Sequence, residues 1–292
     1  MKFNCEAERL EYAATTPLLV IRPEAIRVLS APVNVVTFYQ KRMSKAVWRS
    51  PGGRKLGFLV VQGEFLLGLI FLTSPVKRLT ARDNYLFPNA SKKFKYGLAL
   101  KEYMDMSVCV AAQPIGWHWN LGKLMALIAP TLGDYVEARC PVDNFKGVTT
   151  TSLYGGNKAT QYTRIYKHIG DTKGFGHEHI SDGDYERMMS WLREHYPDRI
   201  PSARFSDGST NVRMQRIAMY YKLSGDKKPE KGVLFHGHKR GVYYHAAVPP
   251  EQRGAVIQNW YERWGLPRHA RTKNLQPPYQ SGLDVAPDRK AA

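Results

Sequence analysis

Acidic residues are scarce in this chain. Its 292 residues hold 25 Asp and Glu against 43 Lys and Arg, a formal net charge of +18. A surface that only needs to stay soluble mixes both signs at a smaller net charge. The shortage of acid therefore points to a polyanionic partner, nucleic acid first and DNA in particular, held through counterion release. Cysteine is nearly absent too: Cys5, Cys109 and Cys140 are widely separated and show no C-x-x-C spacing. That argues against a disulfide framework and a zinc module, and it fits a reducing, cytoplasmic setting. Long apolar runs are missing as well. The most apolar stretch, Leu56–Leu72, is interrupted by Gln62-Gly63-Glu64, leaving either side too short to cross a bilayer. No basic-apolar-small leader pattern opens the chain, so no membrane association is expected. No G-x-x-x-x-G-K-[ST] occurs, which removes support for nucleoside triphosphate hydrolysis.

What is present is enough for a core, with 43% hydrophobic and 12% aromatic residues. Leu56–Val61 and Phe65–Leu72, short apolar runs around a glycine-bearing turn, predict a buried β-hairpin. Met104–Ala112 predicts a strand. Behind it, Gln113–Gly122 forms a loop that opens a helix, with Asn120 as N-cap and Leu121, Leu124, Met125 and Ile128 inward. Gly147–Tyr154 predicts another strand, rich in β-branched Thr. A helix is expected over 158–169, with Tyr162, Ile165 and Tyr166 on one face and Gly170 closing it. A strand over 172–180 follows, then helices over about 181–196 and 211–223. A strand within 232–246, a short helix over 252–265 and a flexible tail from 268 complete the chain.

The order hairpin, strand, glycine-bearing loop, helix, strand, Asn-led helix, strand over 56–180 resembles the core of the GNAT-type N-acyltransferases. Those enzymes move an acyl group from a CoA thioester to an amine. Asn120-Leu121-Gly122-Lys123 stands at the family's G-x-G-then-helix signature, and Ile165-Tyr166-Lys167-His168-Ile169-Gly170 looks like its L-Y-x-x-x-G ending. The resemblance implies an α/β (α+β) fold with a mixed, mostly antiparallel sheet flanked by helices. It divides the chain into an N-terminal extension (1–55), a catalytic core (56–180), a C-terminal addition (181–267) and the tail (268–292). It also implies a CoA thioester, acetyl-CoA or another acyl-CoA, bound by Gly116, Trp119, Asn120, Leu121, Gly122, Lys123, Thr150 and Asn157. Tyr166 would be the general acid for the departing thiolate. Three positions depart from the pattern: Asn120 replaces the first Gly, Trp117 stands where Gln or Arg is usual, and His118 where a small residue belongs.

A narrower resemblance rests on Gly170-Asp171-Thr172-Lys173-Gly174-Phe175-Gly176, Trp119–Lys123, Ala81-Arg82-Asp83 and His236-Gly237-His238-Lys239-Arg240. These look like the divergent GNAT-like proteins of phages and phage-defence islands, among them the Mom-type enzymes that modify adenine in viral DNA. The function implied is transfer of an acyl-type group to a base amine of phage DNA, an anti-restriction modification. Asp83 or His118 would then be the base, and Arg82, Lys173, His177, His179, Lys239 and Arg240 the nucleic-acid contacts.

Each motif also has a plain structural reading. Gly170–Gly176 fits a phosphate-holding loop or a bulged strand. His177/His179 and His236/His238 fit a metal site on alternating strand positions, polar site lining, or satisfied structural histidines; no metal is assigned. Trp117-His118-Trp119 fits base stacking or core filling. Arg82-Asp83 fits a surface ion pair, and Asp105 is a further carboxylate beside the loop. Basic residues interleaved with aromatics at 39–54, 92–96, 158–173 and 239–244 fit a collected phosphate groove. Two other functions remain open: a non-catalytic DNA-binding or defence protein, and a His-dependent metal nuclease.

Overall fold

The computed structural model describes residues 20–44, 53–90, 99–140, 144–152, 160–172, 182–201, 210–226 and 240–275. Its centre is the predicted hairpin. β2 (Lys55–Gln62) and β3 (Phe65–Thr73) pair antiparallel down to Gln62↔Phe65. Gly63 takes the first turn position at φ 58°, a conformation that glycine adopts without steric cost in two-residue hairpin loops. Both strands are buried along nearly their whole length because helices cover both faces of the sheet, so apolar residues run continuously rather than alternate.

Two glycines set how closely those helices approach. A Cβ on Gly57 would lie 2.7 Å from Val36 of α1 (Val33–Met43). One on Gly68 would lie 2.5 Å from the Met125 sulfur of α4 (Leu121–Ile128) and 2.7 Å from the Val110 carbonyl. Gly57 pairs with Phe71, three residues from Gly68, so the two contacts fall on opposite faces of the sheet.

Among the described residues the sheet has seven strands in the order β1-β2-β3-β4-β5-β7-β6. β1 is Ile26–Ala31, β4 Tyr103–Ala111, β5 Gly147–Thr151, β6 Lys167–Asp171 and β7 Gly241–Ala246. Neighbours are antiparallel throughout except β4 and β5. A parallel pair needs a crossover, and α3 (Ile115–Trp119), α4 and α5 (Gly133–Arg139) supply it. α2 (Thr80–Leu86) packs on β6 and β7. α6 (Asp182–His195) and α7 (Thr210–Leu223) form a separate small cluster around Met188, Leu192 and Ile217. The expected fold class, a mixed and mostly antiparallel sheet flanked by helices, is the one observed. No helix among the described residues is long and apolar enough to cross a membrane.

Several expected elements differ. Residues 160–166 form turns, not the helix expected over 158–169. Thr163 Oγ1 accepts the Thr160 N–H at 2.9 Å and Thr160 Oγ1 accepts the Tyr162 N–H at 3.1 Å, which diverts backbone donors from a helical ladder. Arg164 then takes a left-handed φ of 70°. Gly170 lies inside β6 and is not a helix cap; a Cβ there would stand 3.0 Å from that of Ala81. The strand expected over 172–180 lies almost wholly outside the described residues. β1 and α1 belong to the central sheet and its cover, although residues 1–55 are expected as an extension. β7, from the expected C-terminal addition, is an interior strand.

The C-terminal helix also runs further than expected. α8 (Arg253–Trp260) passes through a π-helical segment, Tyr261–Gly265, into α9 (Leu266–Thr272). Pro267 sits in the first turn of α9, where its missing N–H is no loss; the helix restarts at that point and does not stop.

Gly68→Val should cost about 1–3 kcal/mol through overpacking, read as a lower Tm. Gly254→Ala, in an exposed part of α8 with nothing within 4 Å of a new Cβ, should raise stability by about 0.5–1 kcal/mol.

Candidate functional site

β4 and β5 pair only from Tyr103↔Gly147 to Asp105↔Thr149. Beyond Asp105 the strands part, and side chains take over what the ladder leaves. Thr150 Oγ1 donates to the Met106 carbonyl at 2.9 Å, and Gln161 Nε2 donates to the Cys109 carbonyl at 3.0 Å. The separated end of β4 forms one wall of a cleft of about 480 Å³.

The opposite wall is the α3–α4 corner. Asn120 joins the two helices in the left-handed region, φ 56° and ψ 40°, a conformation asparagine tolerates better than most residues. It stands at the expected N-cap position of α4, but its side chain makes no cap bond there, so the residue serves as a joint. Such a corner strands carbonyls, and the C-terminal helix satisfies them. Arg268 Nε donates to the Trp117 carbonyl at 3.0 Å and Trp260 Nε1 to that of Asn120 at 3.3 Å, while the Thr272 hydroxyl shares its one proton between the carbonyls of Arg268 at 2.9 Å and His118 at 3.3 Å. Trp119 stacks on His269 at 4.0 Å between ring centroids and on Tyr261 at 5.9 Å. Trp260 is wholly buried. Arg268 and Arg271 consequently face the cleft.

Of the expected cofactor-binding residues, Gly116, Asn120 and Gly122 line this cleft. Trp119 and Leu121 are core. The Lys123 ammonium turns inward to the carbonyls of Gln161 at 3.1 Å and Thr163 at 2.6 Å, and burial lowers its pKa. Thr150 is spent on Met106. Asn157 lies outside the described residues. The corner's amides are largely occupied: the N–H groups of Gly116, Trp117 and His118 bond to Ala112 or Pro114, and that of Lys123 to Asn120. A loop that wraps a pyrophosphate needs such donors free, so the corner fits poorly the role expected of it.

The expected catalytic residues do not converge. Tyr166 is buried, donates its hydroxyl proton to the Ala126 carbonyl at 2.8 Å, and has a pKa raised well above normal by burial. A phenol held this way is a structural tie and a poor acid. Asp83 is buried on α2; its Oδ1 accepts two bonds from Arg82, at 2.7 and 2.9 Å, and its Oδ2 the Leu79 N–H at 3.1 Å. Arg82 is fully buried in that pair, which corrects both the expected nucleic-acid contact and the alternative of a surface ion pair. His118 is buried, edge-on to Trp117, and its Nδ1 finds no hydrogen-bond partner among the described residues. Arg240 joins β6 to β7 through its backbone N–H, which donates to Thr172 Oγ1. Lys173, His177, His179, His236, His238 and Lys239 lie outside the described residues. Among the described residues no group of three or more His, Cys, Asp or Glu could hold a metal.

Sequence reasoning missed Gln161, Arg268 and Arg271. The two arginines carried a signal in their i, i+3 spacing, hidden because Gly265 and Pro267 look like a helix end. Cys109 lines the cleft, half-buried, and desolvation raises its thiol pKa.

Asp105 pairs with Thr73, two residues from Phe71, so its carboxyl lies on the α1 side of the sheet, away from the cleft. Burial raises its pKa to about 6, while the Thr149 hydroxyl at 3.1 Å and nearby Arg82 act to lower it. The folded state therefore holds this proton more tightly than the unfolded chain does. Its contribution to stability is full below about pH 4 and is lost as pH rises through about 6. Asp105→Asn should remove that dependence. The Tm gap in favour of the variant should widen between pH 4 and pH 7, by at most about 3 kcal/mol of stability at 1.36 kcal/mol per pKa unit. A parallel pair of pH–Tm curves would contradict it.

The family model described as Druantia protein DruA matches residues 19–249. A curated Druantia protein DruA of Escherichia coli (strain UMEA 4076-1) is 25% identical over 238 residues, covering 75% of this chain and 54% of that protein. The chain thus spans about half the length of the curated relative it matches. These matches overturn the expected kinship with Mom-type phage enzymes, and with it acyl transfer to a base amine and anti-restriction modification. They give no indication of a phage origin. With its match running from before β1 to beyond β7, the chain belongs to the DruA family.

Proposed function

We propose that this protein is a nucleic-acid-binding component of a Druantia-type defence system, acting in the cytoplasm on DNA. The defence setting comes from the family; the nucleic acid comes from the charge. If every Asp and Glu were matched to one Lys or Arg, 18 cations would remain without a carboxylate, since 43 less 25 is 18. An excess of that size favours phosphate binding over self-pairing. Binding is preferred over a chemical role because two of the three groups expected to react, the Tyr166 hydroxyl and the Asp83 carboxylate, already serve internal bonds, and His118 is buried apart from them.

The test is anisotropy with a labelled 20-base-pair duplex over a salt series. Binding should tighten steeply as salt falls. A plot of log K against log salt should have a slope of about −4 or steeper, that is, roughly five or more phosphate contacts at 0.9 per contact. No binding at 50 mM salt, or a slope near zero, would overturn the reading.

A further inference from the structure

We infer that the cleft between the free end of β4 and the C-terminal helix is a subsite for a single unstacked nucleotide, with Arg268 and Arg271 on its phosphate and Trp117 against its base. The inference rests on the nucleic-acid reading above and says where a strand would be gripped.

The lining has a clear sign. Among the described residues, Arg268 and Arg271 are its charged lining residues, and no Asp or Glu contributes. Spaced i, i+3 on α9, they stand one above the other on the same helix face. Neither forms a carboxylate ion pair among the described residues. Arg268 is fixed in place, with Nε on the Trp117 carbonyl at 3.0 Å and its guanidinium 4.8 Å from the Trp117 ring centroid. That leaves the outer edge of a preset fork for an anion, and a planar fork matches phosphate oxygens two at a time.

The remaining walls suit a base. Trp117 is half-buried and lines the cleft; an indole face stacks any base, whatever its sequence. Asn120 brings an amide, Gln113 and Gln161 are held in the wall by their own bonds to the backbone, and Gly116 and Gly122 keep the corner low. At about 480 Å³ the cleft lies within the roughly 300–1,000 Å³ range of small-ligand sites. It is far too small for a duplex, whose bases are stacked and paired out of reach. The occupant is therefore one nucleotide, from a free pool or from an unpaired position in a strand.

α9 lies beyond residues 19–249, the part matched by the family model. The cleft thus combines a corner inside the matched region with cations from outside it.

The test compares the intact chain with Arg271→Ala and Trp117→Leu. Arg271 is exposed, so its loss leaves the fold alone. The probes are a blunt DNA hairpin, the same hairpin with a three-nucleotide single-stranded tail, and dAMP by calorimetry. The protein should bind the tailed hairpin at least tenfold more tightly than the blunt one, and each variant should bring that ratio close to one. A ratio near one in the parent protein overturns the subsite, as does a ratio that both variants leave unchanged. If neither hairpin binds, the nucleic-acid reading fails on its own; dAMP binding weakened by Arg271→Ala would then still support the subsite, and silence from dAMP would end both. Alongside a tail preference, dAMP binding marks free nucleotides as a second source, and its absence confines the site to strands.

Discussion

The early parting of β4 and β5 governs the functional end of this molecule. Parallel strands exchange slanted hydrogen bonds, and here that exchange stops at Asp105↔Thr149. Every backbone group exposed beyond that point must find another partner or carry a desolvation cost. The Thr150 hydroxyl and the Gln161 amide answer two of those needs directly. The loop bearing Gln161 must in turn be held down, which is the work of Lys123. An ammonium that looked destined for phosphate is thereby committed to the frame. The cations that face the cleft come instead from residues more than a hundred positions later, Arg268 and Arg271.

That redistribution explains what the sequence made legible. Strand placement followed continuous apolar runs for β2 and β3, and helix placement followed one-face periodicity for α4. It failed at 160–166, where Tyr162, Ile165 and Tyr166 are spaced for a helix but two Thr hydroxyls capture the amides. Among site residues, the corner glycines and Asn120 were visible because backbone constraint leaves a residue-type signature. Tyr166, Asp83 and Arg82 were chosen for their chemistry, and burial among internal partners decided otherwise. The arginines of α9 could not be found, because a π-helical segment absorbs the break that Gly265 and Pro267 announce.

The two faces of the sheet also handle charge differently. On the α2 side, Arg82 and Asp83 neutralise each other out of water, with Arg82 Nη1 left without a partner among the described residues. Such a pair is a weak source of stability, since desolvation consumes most of the attraction; it pins α2 in one arrangement. On the cleft side, Arg268 is half-buried and Arg271 is exposed, and among the described residues no carboxylate opposes them. Buried charge fixes structure here, and charge facing solvent stays available.

The Thr272 hydroxyl reaches the His118 carbonyl across 154 positions of sequence. During synthesis the α3–α4 corner therefore emerges long before the helix that caps it. At about 5–20 residues per second the wait is on the order of ten seconds. A nascent chain spends that time with its corner carbonyls uncapped and without its two arginines. The ribosome must reach α9 before the cleft gains its cations, so under the proposed function a shorter nascent chain lacks the means to hold nucleic acid there.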